Sequence, residues 1–278
     1  MATLFVLVLC LNVYAENNPD KIIIGTSADY PPFEWIDAEG NYVGFDMDLM
    51  RMIAISEGYE IEIKDLGFDA LIPALQAGKV DIIAASIGVN AERDKVIDYS
   101  EPYLETNQIV LVKEKSALNI LSAFSPNNKV GVQRGSTQYR WVQKNLLDEG
   151  AEIDLELYET TDTGILDLVN GRINTFVTNE PNAKVFSENN PIKMVGAIYT
   201  GEKIAFAVKE GDPKNLLPLL NSGLNKLEGK LMDDLKTAYF AGNLKNIDKA
   251  YKESKYFLTE EKDLMGYAQN LAKLMIEK

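Results

Sequence analysis

The chain has 278 residues, of which 46% are hydrophobic and 25% charged, with a formal net charge of −14 and no histidine. This is an ordinary globular composition, but the acidity repels nucleic acid and anionic membrane surfaces, and the missing histidine removes the usual general base and the commonest metal ligand. One cysteine, Cys10, excludes an intramolecular disulfide and a cysteine-clustered zinc site, so no metal, cofactor or catalytic residue is expected.

Residues 4–13 (LFVLVLCLNV) are apolar over about the length of a signal-peptide core, too short to span a bilayer. Val13-Tyr14-Ala15 resembles a small-residue cleavage site, so 1–15 read as a signal peptide and the mature chain starts near Glu16. Leu7-Val8-Leu9-Cys10 is an alternative lipoprotein signal, although Leu9 is large where that signal wants a small residue. We expect an exported, periplasmic or extracytoplasmic protein.

Residues 21–26 (KIIIGT) form a first strand. Residues 27–35 follow as a loop stiffened by Pro31 and Pro32 and carrying Tyr30, Phe33 and Trp35, either a packed edge or a stacking surface. A helix starting at 44–46 buries Leu49, Met52 and Ile53 and closes at Gly58. Residues 60–64 alternate as a half-exposed strand, 68–75 read as a helix capped by Asp69, and 80–85 read as a buried strand. A second run of similar order starts at 129: strand 130–132, helix 135–147, strand 153–158, helix 162–170 ended by Gly171, strand 173–178. Two such α/β units imply two lobes, with 104–108 and 199–203 as connections. Residues 203–209 (KIAFAVK) read as one late strand, followed by helices.

Two strand-to-helix turns are candidate anion sites. In the first, Asn90 offers an N-cap and places Arg93 in the opening helical turn, the wrong end of the dipole for a cation unless it meets an anion. Ser86 and the amides around Gly88 share that turn; a solvated Arg93 beside Glu92 and Asp94 is the alternative. In the second, Gly135-Ser136-Thr137 opens a helix, as an anion site or a simple cap.

Motifs in order then carry a resemblance: Asp29-Tyr30-Pro31-Pro32-Phe33, Gly44-Phe45-Asp46-Met47-Asp48-Leu49, the run from Phe68 through Gly78, Glu92-Arg93 with Ile97-Asp98-Tyr99-Ser100, and Val130 through Thr137. Over residues 21–242 the chain resembles the family 3 extracellular solute-binding proteins, the polar amino acid receptors of ABC importers. The resemblance implies a two-lobed periplasmic-binding-protein fold (type II), with two α/β lobes joined by two crossover segments. Lobe 1 would be 20–104 plus 205–278, and lobe 2 would be 105–204. A monomer would bind a polar amino acid or small carboxylate between the lobes and present it to the permease subunits.

The resemblance further implies that Arg93 clamps the ligand carboxylate with Ala85, Ser86, Gly88, Ser136 and Thr137 around it. Tyr30 and Phe68 would sandwich the ligand side chain, and Gln133 would face it. Three positions depart from the family pattern. Gly88 stands where Ser or Thr is usual, and Asn179 where an Asp usually takes the ligand ammonium, with Glu180 beside it as a substitute charge. Ser27 stands where receptors for basic amino acids often place an acid, which disfavours a lysine- or arginine-like ligand. A cyclohexadienyl dehydratase on the same fold, with Glu180 or Glu34 as general acid, is the enzymatic alternative, and a sensor domain is a third reading. Residues 243–278 read as helices packed on lobe 1.

Overall fold

The computed structural model describes residues 21–240; the expected signal peptide at 1–15, Cys10 and the helices expected over 243–278 lie outside them. The chain opens with β1 (Lys21–Thr26), whose isoleucines alternate between the two faces of a sheet. Three short strands, β2 (Asp29–Tyr30), β3 (Glu34–Ile36) and β4 (Tyr42–Val43), form a small antiparallel sheet over the proline-stiffened loop. Gly44 turns this sheet into α1 (Phe45–Glu57) at φ +126°; a Cβ there would sit 2.2 Å from the Phe33 carbonyl oxygen, so no other residue fits. The helix ends on Gly58 in the left-handed conformation.

After β5 (Glu60–Asp65) come α2 (Leu71–Gln76), β6 (Ile82–Ile83), β7 (Ile97–Tyr99) and the long β8 (Leu104–Lys113). Then follow β9 (Lys129–Gln133), α3 (Thr137–Val142), β10 (Asp154–Tyr158), α4 (Thr161–Asn170), β11 (Thr175–Asn179), α5 (Glu180–Asn189) and β12 (Ile192–Ile204). The described chain finishes with β13 (Ala207–Lys209), α6 (Leu217–Leu227) and α7 (Lys230–Tyr239).

Two five-stranded sheets result, ordered β5-β1-β6-β13-β7 and β10-β9-β11-β8-β12, each with helices on both faces. In the first sheet, Ile82 joins the core under α1, α6 and α7, while Ile83 joins the one under α2. In the second, Phe176 packs against α4 and α5, and Val177 against α3. This doubly covered α/β architecture is the two-lobed type II fold expected from the sequence. The lobes connect where the start of β8 pairs antiparallel with the end of β12, Leu104 opposite Ile204 and Thr106 opposite Glu202.

Several local expectations need correction. The run 203–209 is two strands: β12 ends at Ile204 in the second sheet and β13 starts at Ala207 in the first. An apolar run without alternation carries no mark of the point where it changes sheets. The turn after Asn90 is one 3₁₀ turn, Arg93–Lys95, although the Asn90 Oδ1 does accept from the Glu92 and Arg93 amides at 3.1 and 3.0 Å. So short a turn has no useful macrodipole, and Arg93 must be explained by its contacts. Asp69 does not cap; residues 68–70 are a 3₁₀ turn leading into α2 with no side-chain cap. The α-helix from Thr137 stops at Val142 and continues to Leu147 as a wider π turn.

Candidate ligand-binding cleft

The strand ends of both sheets meet across a cleft, and lobe 1 supplies its floor. Ser86 follows β6 at φ +46°, a conformation that costs an L residue about 1–3 kcal/mol unless it is held. It is held by Asp46 at the start of α1, whose Oδ2 accepts from the Ser86 amide at 2.8 Å and from the Tyr103 hydroxyl at 2.7 Å. Burial pushes Asp46 up to about 7, and those two hydrogen bonds pull in the other direction. The strained turn aims the segment from Ala85 to Gly88 into the cleft.

Arg93 is 2% exposed, so the solvated alternative is wrong. Its Nη1 donates to the Gly88 carbonyl at 2.7 Å and its Nη2 crosses to the Gly135 carbonyl of lobe 2 at 3.0 Å. Phe68 covers the guanidinium, with the ring centroid 5.4 Å from Cζ. Nε is buried without a partner, and burial lowers the Arg93 pKa. A buried cation with unused donor capacity is built to receive an anion.

Lobe 2 meets this floor with neutral groups. Ser136 caps α3, accepting from the Tyr139 amide at 3.0 Å, which leaves Thr137 at the cleft. The Tyr30 hydroxyl lies 2.6 Å from Thr178 Oγ1 and accepts from the Asn179 amide at 3.2 Å. Asn182 Nδ2 donates to the Pro31 carbonyl at 2.7 Å. Gln133 Nε2 donates to Asp29 Oδ2 at 3.2 Å, and the Thr161 amide donates to the same oxygen. With these ties the lobes are closed, and the central cavity measures only about 10 Å³. That is about one water's room, so a larger solute enters only as the lobes part.

Among the residues expected at the site, Tyr30, Phe68, Ala85, Ser86 and Gly88 line this cavity from lobe 1. Gln133, Ser136, Thr137 and Asn179 line it from lobe 2, whereas Arg93 does not line it and packs against the Phe68 ring, bonded to the Gly88 carbonyl. Glu180 does not belong with them. It is exposed at the first position of α5, because the chain leaves the strand at Asn179 and the helix carries the next side chain outward. Asn179 is itself committed: Oδ1 caps α5 by accepting from the Asn182 amide at 3.1 Å, and Nδ2 donates to Ser86 Oγ at 3.3 Å. Glu34 is fully buried with both oxygens unpartnered and its pKa well above the carboxylate range; it does not line the cavity.

Three residues went unnoticed in the sequence. Gln138 lines the cavity. Asp29 is buried, accepts from Ser27 Oγ at 2.9 Å, and is raised to about 6 by burial against the opposing hydrogen bonds from Thr161 and Ser27. The acid absent at position 27 thus stands beside it. Glu202, on β12, brings its carboxylate to Thr137 Oγ1, which donates to Oε1, and its pKa is raised chiefly by burial. Only Gly88 signalled it, by leaving space whose occupant lies far along the chain.

A closed two-lobed cleft with an arginine at its floor defines a receptor for small anionic or zwitterionic solutes. The profile of the bacterial extracellular solute-binding proteins, family 3, matches residues 22–242, and the chain belongs to that family. It is 32% identical over 230 residues to a probable histidine-binding protein of Neisseria gonorrhoeae, covering 81% of this chain and 85% of the relative. It is 32% identical over 221 residues to the ABC transporter arginine-binding protein 1 of Escherichia coli (strain K12), covering 76% and 86%. The solved structure of an ancestral arginine-binding protein bound to arginine superposes with a TM-score of 0.74 at 33% identity, covering 80% of this chain and 98% of that one.

Proposed function

We propose that this chain is the extracytoplasmic receptor of an ABC importer, a monomer that captures a basic or other polar α-amino acid by closure of its two lobes. The observation that carries this reading is Arg93: a buried guanidinium with an unused donor, spanning both lobes through the Gly88 and Gly135 carbonyls. The ligand carboxylate would dock there, replacing the cross-lobe carbonyl contact with a charge-assisted pair. Ala85, Ser86, Gly88, Ser136 and Thr137 would surround it. Tyr30 and Phe68 would flank the side chain, with Gln133 beside it.

Asp29 supports a basic side chain. Its carboxylate is buried next to Ser27 and Gln133, and a guanidinium or imidazolium would relieve the burial that raises its pKa. The names of the arginine- and histidine-binding relatives agree. In this reading the lobes divide at 104/105 and 204/205, and the start of β8 at Leu104 and the end of β12 at Ile204 support that division. Removal of 1–15 during export completes the proposal.

A thermal-shift screen of the chain from Glu16 onward against the standard amino acids, prephenate and arogenate tests it. L-Arginine or L-histidine at a hundredfold excess over Kd should raise the melting temperature by about 5 °C or more. Silence from every amino acid, with turnover of prephenate or arogenate, would replace the receptor with the dehydratase.

A further inference from the structure

Resting on the receptor reading above, we propose that Glu202 is the residue that holds the ligand's α-ammonium, a role moved from the end of β11 to the hinge strand β12 and made possible by Gly88. A zwitterion bound at Arg93 needs a negative charge near its amine, because an unpaired buried ammonium is strongly disfavoured. Asn179 supplies none, and both halves of its amide are engaged by Asn182 and Ser86. Glu180 is exposed. Among the residues lining the central cavity, Glu202 is the one acid.

Its geometry fits the role. Glu202 is 8% exposed; Oε1 accepts from Thr137, and Oε2 is buried without a partner. Arg93 donates to backbone carbonyls on either side of it instead of to Glu202, while the two side chains sense each other's charge. The two charges are therefore near each other without a hydrogen bond between them, which leaves each available to the opposite end of a zwitterion. A Cβ on residue 88 would lie 1.9 Å from Glu202 Oε1, so Ser, Thr or even Ala at that position would displace the carboxylate from its present place. The two departures from the family pattern, Gly at 88 and Asn at 179, thus have one explanation. Glu202 also borders a neighbouring cavity of about 300 Å³ beneath the hinge, into which its side chain can yield as a ligand enters.

The test is calorimetric titration of the full mature chain and its Glu202→Gln variant with L-arginine and with 5-guanidinopentanoate, the same molecule lacking the α-amine. Glu202→Gln should weaken L-arginine at least ~30-fold, the loss of one charge-assisted contact, and change 5-guanidinopentanoate by less than about threefold. Adding Asn179→Asp to that variant should restore L-arginine to within about tenfold, since an aspartate still caps α5. Equal loss for both probes would make Glu202 a structural residue and overturn the proposal. Unchanged or tighter L-arginine binding would also overturn it, the tighter case identifying Glu202 as an internal competitor for Arg93. Wild-type chain that binds L-arginine while the variant matches it sinks only Glu202. If the wild type binds no amino acid, the receptor reading falls and takes this proposal with it.

Discussion

In the lobe built on β1, the buried polar side chains include Asp29, Glu34, Asp46, Asp48, Asp81 and Arg93, whereas in the lobe built on β9 they are neutral except for Glu202, and include Gln133, Ser136, Gln138, Thr161, Thr175, Thr178, Asn179 and Asn182. Glu202 stands between them on the hinge strand. Lobe 1 therefore holds most of the buried charge and lobe 2 most of the buried neutral donors, while Glu202 is the charged side chain among those lining the central cavity. A hydrogen bond to a charged group contributes about 1.5–3 kcal/mol and a neutral one about 0.5–1.5. Lobe 1 is thus suited to capture the ligand's charge in the open form, and lobe 2 to add weaker contacts that break readily when the ligand is handed on.

The strongest way to break this asymmetry is Arg93→Ala. It removes the one buried cation of the described residues, and L-arginine affinity measured by calorimetry should fall at least ~100-fold. Circular dichroism should be unchanged, since the guanidinium bonds two loop carbonyls and meets the Tyr99 hydroxyl and Phe68 ring without entering any strand or helix hydrogen-bond ladder. Retained affinity in a folded variant would mean that the ligand carboxylate is read elsewhere.

Much of this division was legible from residue order. Hydrophobic alternation and glycine stops placed most strands and helices of both lobes, and Thr137 stands at the strand-to-helix turn into α3, whereas Arg93 and Ser86 were singled out by a helix start that is a single 3₁₀ turn. Contacts between distant segments left no such mark. Glu202 lies in a charged stretch beside a sheet switch, and its burial depends on a missing side chain at Gly88. Asp29 looked like one more loop acid until Gln133 and Thr161 closed on it from lobe 2. Glu180 erred for a local reason: one residue past a strand end, helical rotation turns a side chain away.

The second way to sharpen the comparison is pH. Burial raises Asp29 to about 6 and Asp46 to about 7, above their unfolded values. The folded state therefore binds protons more tightly than the unfolded chain. The stability this confers is complete below about pH 4 and is lost as pH rises through about 6 and then about 7. The melting temperature should fall by about 5 °C or more from pH 5 to pH 8. Asp46→Asn keeps an oxygen for the Ser86 amide and the Tyr103 hydroxyl, and should lessen that fall, the remainder coming from Asp29, Glu34 and Glu202, which burial also raises. Thr178→Val in lobe 2 should leave the slope alone. An Asp46→Asn slope equal to wild type would show that Asp46 does not carry the pH response.

The smallest effect should come from a neutral tie across the cleft. Tyr30→Phe deletes the hydroxyl that meets Thr178 Oγ1 at 2.6 Å and accepts from the Asn179 amide at 3.2 Å, while the ring can keep its stacking on Phe33. Thr178 retains its bond to Asn182 Oδ1 at 2.7 Å, so the amide of Asn179 is the group left short. Closure should weaken by about the value of one neutral hydrogen bond, a roughly three- to tenfold loss in L-arginine affinity. The loss should appear mainly as faster release, because the contact forms only when the lobes meet. A loss as large as that of Arg93→Ala would contradict the split between a charged capturing lobe and a neutral closing one, and would make the cross-lobe hydroxyl an equal partner in recognition.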